Sequence, residues 1–128
     1  MKSKEKGTNA ERELLHLFWS KGFACLRSAG SGSMKYPGPD LIVSNKLRRL
    51  AIECKSTSDK KRYLNKYDLG QLKDFCDIFG AEPWFAIKFA KTNWLFLSLE
   101  DIEKTKNGYV IDSKTAERRG LLIDELIK

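Results

Sequence analysis

The chain has 128 residues, 24 Lys plus Arg against 17 Asp plus Glu, and a formal net charge of +7. That length fits one domain, residues 1–128, able to bury a hydrophobic core without disulfide staples, and 41% hydrophobic beside 32% charged residues excludes a disordered chain. The basic excess favours a polyanionic partner, nucleic acid or an acidic membrane surface, without choosing between them.

Residues 1–6 read as a short, flexible basic arm; the opening MKSKEKG lacks the apolar core of a signal peptide. Thr8 or Asn9 then opens a helix over residues 10–21, with Leu14, Leu15, Phe18 and Trp19 at helical spacing and Gly22 as its stop. Residues 23–27 form a short strand, and the Gly-, Ser- and Pro-rich stretch 30–39 forms a loop. Residues 40–44 form an apolar strand that turns near SNKL and returns as a strand over residues 49–56. Residues 57–66 are polar and basic, with Lys60, Lys61, Arg62 and Lys66 against Asp59. A second helix, 67–79, carries Leu69, Leu72, Phe75, Cys76 and Phe79 on one face and stops at Gly80. Strands over residues 83–90 and 93–99 follow. In the tail, a helical turn at 101–106 and a short helix at 118–128 complete the reading. This order predicts an α/β fold, a mixed central sheet of about five strands flanked by helices.

No run reaches the ~18 apolar residues of a membrane helix, so no membrane partner is expected. An intracellular location is expected instead. Cys25, Cys54 and Cys76 are odd in number and lie in apolar patterns, as reduced core thiols do. His16 is the only histidine, so a His-rich metal site or a His-based general-acid pair is excluded by count.

The carboxylates converge. Side chains alternate along a strand, so Leu50, Ile52 and Cys54 share one face and Glu53 and Lys55 the other. The hairpin turn lies near the midpoint between Asp40 and Glu53, so pairing brings these two acids together. Two carboxylates so close repel unless a cation lies between them. A hard divalent ion held by carboxylates, a backbone carbonyl (that of Cys54) and water resolves the conflict, and magnesium suits such a site. Glu11 precedes Leu14 and Leu15 by three and four residues, on the buried helix face. It either reaches the same ion or caps the helix within the capping box Thr8-Asn9-Ala10-Glu11. Lys55 would help hold the nucleophile and stabilise charge developing on phosphate, which points to hydrolysis of a phosphodiester.

Pro39-Asp40, twelve residues, then Glu53-Cys54-Lys55 resembles the signature of the PD-(D/E)xK nuclease superfamily. GTNAEREL from Gly7, GFA from Gly22, RSAGS from Arg27 and WFAIKF from Trp84 resemble, in order, the archaeal Holliday junction resolvases of the Hjc type. The resemblance spans residues 4–99. It implies a restriction-endonuclease-like fold with Glu11, Asp40 and Glu53 as metal-site acids and Lys55 as catalytic lysine. The cofactor would be Mg2+, with Mn2+ as a substitute. Arg12, Arg27 and Lys88 match basic positions, Ser31 and Ser33 fall in a loop that folds over the site, and Phe75 and Phe79 resemble aromatic dimer contacts. The loop 31–37 is longer than in some relatives, so its serines are not matched position by position. Lys2, Lys4, Lys6, Lys35, Lys60, Lys61 and Arg62 join Arg12 and Arg27 as candidates for phosphate contact.

The implied function is a structure-selective endonuclease that resolves four-way DNA junctions as a homodimer by paired cleavage, in the cytoplasm and on the nucleoid. Partner recombination or replication proteins are not identified. Alternatives are another DNA repair or restriction-like nuclease of the superfamily, or a non-catalytic DNA-binding module on this fold.

Overall fold

Leu50, Ala51 and Ile52 are buried in succession, the mark of a strand covered on both faces. That strand, β3 (Arg49–Thr57), is the middle of a five-stranded mixed sheet of order β1-β2-β3-β5-β6. It pairs antiparallel with β2 (Leu41–Ser44), which pairs in turn with β1 (Ala24–Arg27). On its other side it pairs parallel with β5 (Glu82–Phe89), and β6 (Leu95–Leu97) closes that edge. The computed structural model describes residues 3–28 and 36–128; the expectations placed on Lys2, Ser31, Ser33 and Lys35, and on the side chains of Lys4 and Lys6, lie outside the described residues.

Helix α1 (Ser3–Ser20) lays Leu14 and Phe18 on one sheet face, where they meet Phe23, Cys25, Val43, Leu50, Ile52 and Phe96. Helix α2 (Lys66–Phe79) lays Leu69, Leu72 and Cys76 on the other, with Ala51, Phe85 and Ile87. Its ends are well specified: the Asn65 side chain accepts the Asp68 N–H at 2.8 Å, and Gly80 takes the left-handed conformation, φ 82°. The β2–β3 turn rests on Asn45, whose Oδ1 accepts both the Leu47 and Arg48 N–H groups. All three cysteines are buried and free. Among the described residues no helix is long and apolar enough to cross a membrane.

Three expectations are corrected. The first helix begins at Ser3, so residues 3–6 of the expected arm are helical and Glu11 lies two turns inside α1 rather than in an N-terminal capping box. The basic stretch after β3 contains a strand, β4 (Lys61–Leu64), which pairs with β8 (Tyr109–Asp112) and, through it, β7 (Glu103–Lys104). The tail therefore builds a second, three-stranded sheet, followed by α3 (Ser113–Arg119) and α4 (Ile123–Leu126). A bridge between Phe96 and Leu121 ties it to the main sheet.

Candidate active site

The register of the β2–β3 hairpin decides the site. Leu41 lies opposite Ile52, so Asp40, one residue before β2, comes opposite Glu53. Asp40 is held from both sides. Its carbonyl accepts the Ser28 N–H at 2.8 Å, and its carboxylate Oδ2 accepts the Cys54 N–H at 2.8 Å. Glu53 and Lys55 share the strand face that alternation assigns them, while Cys54 turns its thiol into the core. The Cys54 thiol titrates well above its usual range because it is buried, with Asp40, Glu11 and Glu53 adding to the effect.

Glu11 reaches this strand end from α1. It accepts a hydrogen bond from Arg27 Nη1 at 3.3 Å, each side chain 19% exposed. Burial raises the Glu11 carboxyl above its ordinary value and Asp40 raises it further, while Arg27 and Lys55 oppose the rise. Glu53 is pushed up to about 8, first by burial and then by the Asp40 carboxylate. Lys55 lowers it, Asp68 raises it, and a hydrogen bond from the Asp40 backbone lowers it. The three acids and Lys55 are thus within one another's fields. Glu11, Asp40, Cys54, Lys55 and Arg62 line a cleft of about 370 Å³.

Among the described residues no three His, Cys, Asp or Glu side chains are gathered to metal-ligand spacing. The donors fit a hard cation all the same. Glu53 and Asp40 are mutually repelling oxygen donors, and a cation between them reverses the field that keeps Glu53 protonated. Asp40, Glu53, Glu11 and the Cys54 carbonyl are the groups that would hold it.

The other expected residues divide. Arg27 is committed to Glu11. Lys88 Nζ lies 2.6 Å from Glu13 Oε1, which also accepts the Trp94 Nε1–H at 3.0 Å. Lys88 lines a neighbouring cleft that shares the wall of residues 56–58 with the first. Arg12, Lys60 and Lys61 are exposed. Phe75 packs against the core beneath α2 and stacks on Phe79, centroids 5.1 Å apart; Phe79 is 47% exposed and Ile78 90% exposed. Sequence reasoning missed Asp68, whose Oδ2 lies 4.0 Å from Lys55 Nζ. An acid in the first turn of a helix reads as a partner of the helix dipole. Only the packing of α2 beside β3 brings it to Lys55.

Residues 2–128 match the family model described as archaeal Holliday junction resolvase (hjc). Over 109 residues the chain is 39% identical to the crossover junction endodeoxyribonuclease Hjc of Archaeoglobus fulgidus, covering 85% of this chain and 80% of the relative. It is 42% identical over 109 residues to that of Methanocaldococcus jannaschii, covering 85% and 77%. The solved structure of Archaeoglobus fulgidus Hjc, a Holliday junction resolvase, matches the fold with a TM-score of 0.89 at 36% identity, covering 95% of this chain and all of that one.

Proposed function

The chain belongs to the archaeal Holliday junction resolvase family, and from that premise we propose how it works: as a magnesium-dependent endonuclease that cuts four-way DNA junctions in the cytoplasm, on the nucleoid. That it is a junction-resolving endodeoxyribonuclease of the divalent-metal-dependent kind follows from the family. The choice of magnesium, the residue roles and the homodimer are our reading. The observation that carries it is the Asp40 carboxylate, bonded to the Cys54 N–H and opposite Glu53, in a cleft shared with Glu11 and Lys55.

Asp40, Glu53, Glu11 and the Cys54 carbonyl would hold the ion. The chemistry such an ion would supply is a lowered pKa of bound water and withdrawal of charge from the phosphoryl oxygen. The protein's own groups do the rest. Lys55, kept in place by Asp68, stabilises negative charge as it develops on the phosphate. Arg27 orients the Glu11 carboxylate. The Cys54 N–H fixes the Asp40 carboxylate at the wall of the cleft. Lys88, Arg12, Lys60 and Lys61 contact the phosphates of the junction arms, Lys88 by exchanging Glu13 for a phosphate oxygen. Ser31, Ser33 and Lys35 belong to the same DNA-binding set. Contacts mainly to phosphate and to junction shape give little base specificity.

The test is cleavage of a fixed four-way junction beside linear duplex, flap and single-stranded DNA, each in Mg2+ and in EDTA. Paired nicks in the junction with Mg2+ alone are expected, with Mn2+ as a substitute. Equal cutting of linear duplex, or cutting in EDTA, would contradict the proposal.

A junction must be cut on two strands, and one chain holds one such cleft, so a two-fold homodimer supplies the pair. Exposed Phe79 and Ile78 at the end of α2, with half-buried Phe75 stacked beneath Phe79, are apolar surface suited to that contact. Phe79→Glu is expected to sediment as a monomer at micromolar concentration and to turn paired cuts into single nicks. A dimer unchanged by this substitution would move the contact elsewhere.

A further inference from the structure

The run Lys60-Lys61-Arg62 reads in sequence as one basic stretch whose residues are all candidates for phosphate contact. Strand β4 divides it. Lys61 and Tyr63 are exposed, Arg62 is half-buried and Leu64 is buried, the two-residue alternation of a strand with one face turned inward. Arg62 therefore shares the inward face with Leu64, and it lines the same cleft as Glu11, Asp40 and Lys55. Its backbone is fixed by pairing with Ile111 of β8.

The state of its guanidinium is unusual. Nε is buried and has no hydrogen-bond partner. A cationic N–H withdrawn from water without an acceptor is destabilising, and such groups are normally paired. The other two cations at the site are paired: Arg27 with Glu11 at 3.3 Å and Lys55 with Asp68 at 4.0 Å. Arg62 enters no ion pair among the described residues. It is a cation without an acidic partner among the described residues, beside a cleft whose acids would otherwise repel a phosphodiester.

We propose that Arg62 grips the phosphodiester that the site cuts, its guanidinium fork donating hydrogen bonds to the non-bridging oxygens. Planar, paired donors suit a phosphate better than a lysine ammonium does. During hydrolysis the water oxygen bonds to phosphorus as one ester P–O bond breaks. The attacking water gives up a proton and the leaving oxygen takes one up. Charge builds on the oxygens that Arg62 holds, so its bonds strengthen on the way to the transition state. The β4–β8 sheet, which the tail completes, thereby has a part in the reaction: it carries Arg62 to the cleft. This role rests on the nuclease reading above.

The test compares Arg62→Met and Arg62→Lys with the unchanged chain in three measurements. These are the single-turnover cleavage rate at saturating protein in Mg2+, the salt dependence of junction binding in EDTA, and the melting temperature. Arg62→Met is expected to cut about 100-fold more slowly and to lower the slope of log affinity against log salt by about one. It should melt no earlier than the unchanged chain, because the lost N–H had no partner. Arg62→Lys keeps the charge and the salt slope but not the rate. Overturning results are cleavage by Arg62→Met within about threefold of the unchanged rate, or earlier melting of both variants, which would make Arg62 a structural strut. If the unchanged chain fails to cut the junction, the nuclease reading falls, while the salt slope in EDTA still reports whether Arg62 meets a phosphate.

Discussion

Asp40→Asn and Glu53→Gln are each expected to lower junction cleavage by about 1,000-fold or more, the size of effect that loss of a group holding the ion would have under the proposed site, while junction binding is expected to survive. Both substitutions keep side-chain volume and remove a carboxyl group that could become an anionic donor to a cation. Asp40→Asn can still accept the Cys54 N–H through its amide oxygen, so the hairpin register and the strand end are retained. What is lost is the negative charge of a carboxylate that lines the cleft. Glu53→Gln removes a carboxyl that burial and Asp40 already disfavour as a charge, so the fold accepts it readily. Binding should survive because it would draw on the basic surface, at many phosphates rather than at one. Single-turnover cleavage and gel-shift affinity, measured in parallel, read the two effects separately. Unchanged cleavage in both variants would remove Asp40 and Glu53 from the chemistry.

The second large effect is on stability. Glu53 has its carboxyl raised from an ordinary 4.5 to about 8 by burial and by Asp40. The sign follows from proton linkage: in this window the folded chain binds more protons than the unfolded one, so stability falls as pH rises from about 4.5 towards about 8. Each pH unit across that window is worth ~1.4 kcal/mol for one group, so the metal-free chain is expected to melt several degrees earlier at pH 8.5 than at pH 5. Glu11, also raised, adds to the loss in the same direction. Glu53→Gln should flatten most of the dependence. Mg2+ should restore the melting temperature of the unchanged chain at pH 8.5 and have little effect on Glu53→Gln, since a cation between the acids removes the reason for protonation. Melting curves in EDTA and in Mg2+ between pH 5 and pH 9 test this. A flat profile for the unchanged chain in EDTA would mean that Glu53 is not held as described.

Much of the site was legible because its parts are local. Asp40, Glu53 and Lys55 belong to one hairpin, and two-residue alternation with a turn near the midpoint suffices to bring them together. The five-stranded sheet was legible for the same reason: its strands are short apolar runs bounded by Gly, Pro and Asn, and its two helices carry regular stripes. Glu11 was half legible. Its spacing from Leu14 and Leu15 sets its helix face, but the capping alternative fell only when α1 was found to start at Ser3. Propensity could not settle that, because Lys and Glu before Thr8 suit either an arm or a helix turn.

The sequence by itself determined the sheet's central hairpin, the acids and lysine along it, and the basic charge that suits DNA. Tertiary structure alone decided the partners: Asp68 beside Lys55, Arg27 on Glu11, Glu13 on Lys88, and Arg62 turned into the cleft. The physical reason is range. Alternation and helical period act over a few residues, whereas these contacts join residues from 13 to 75 positions apart. The same limit hid β4, a polar strand that owes its existence to pairing with β8, about fifty residues further on.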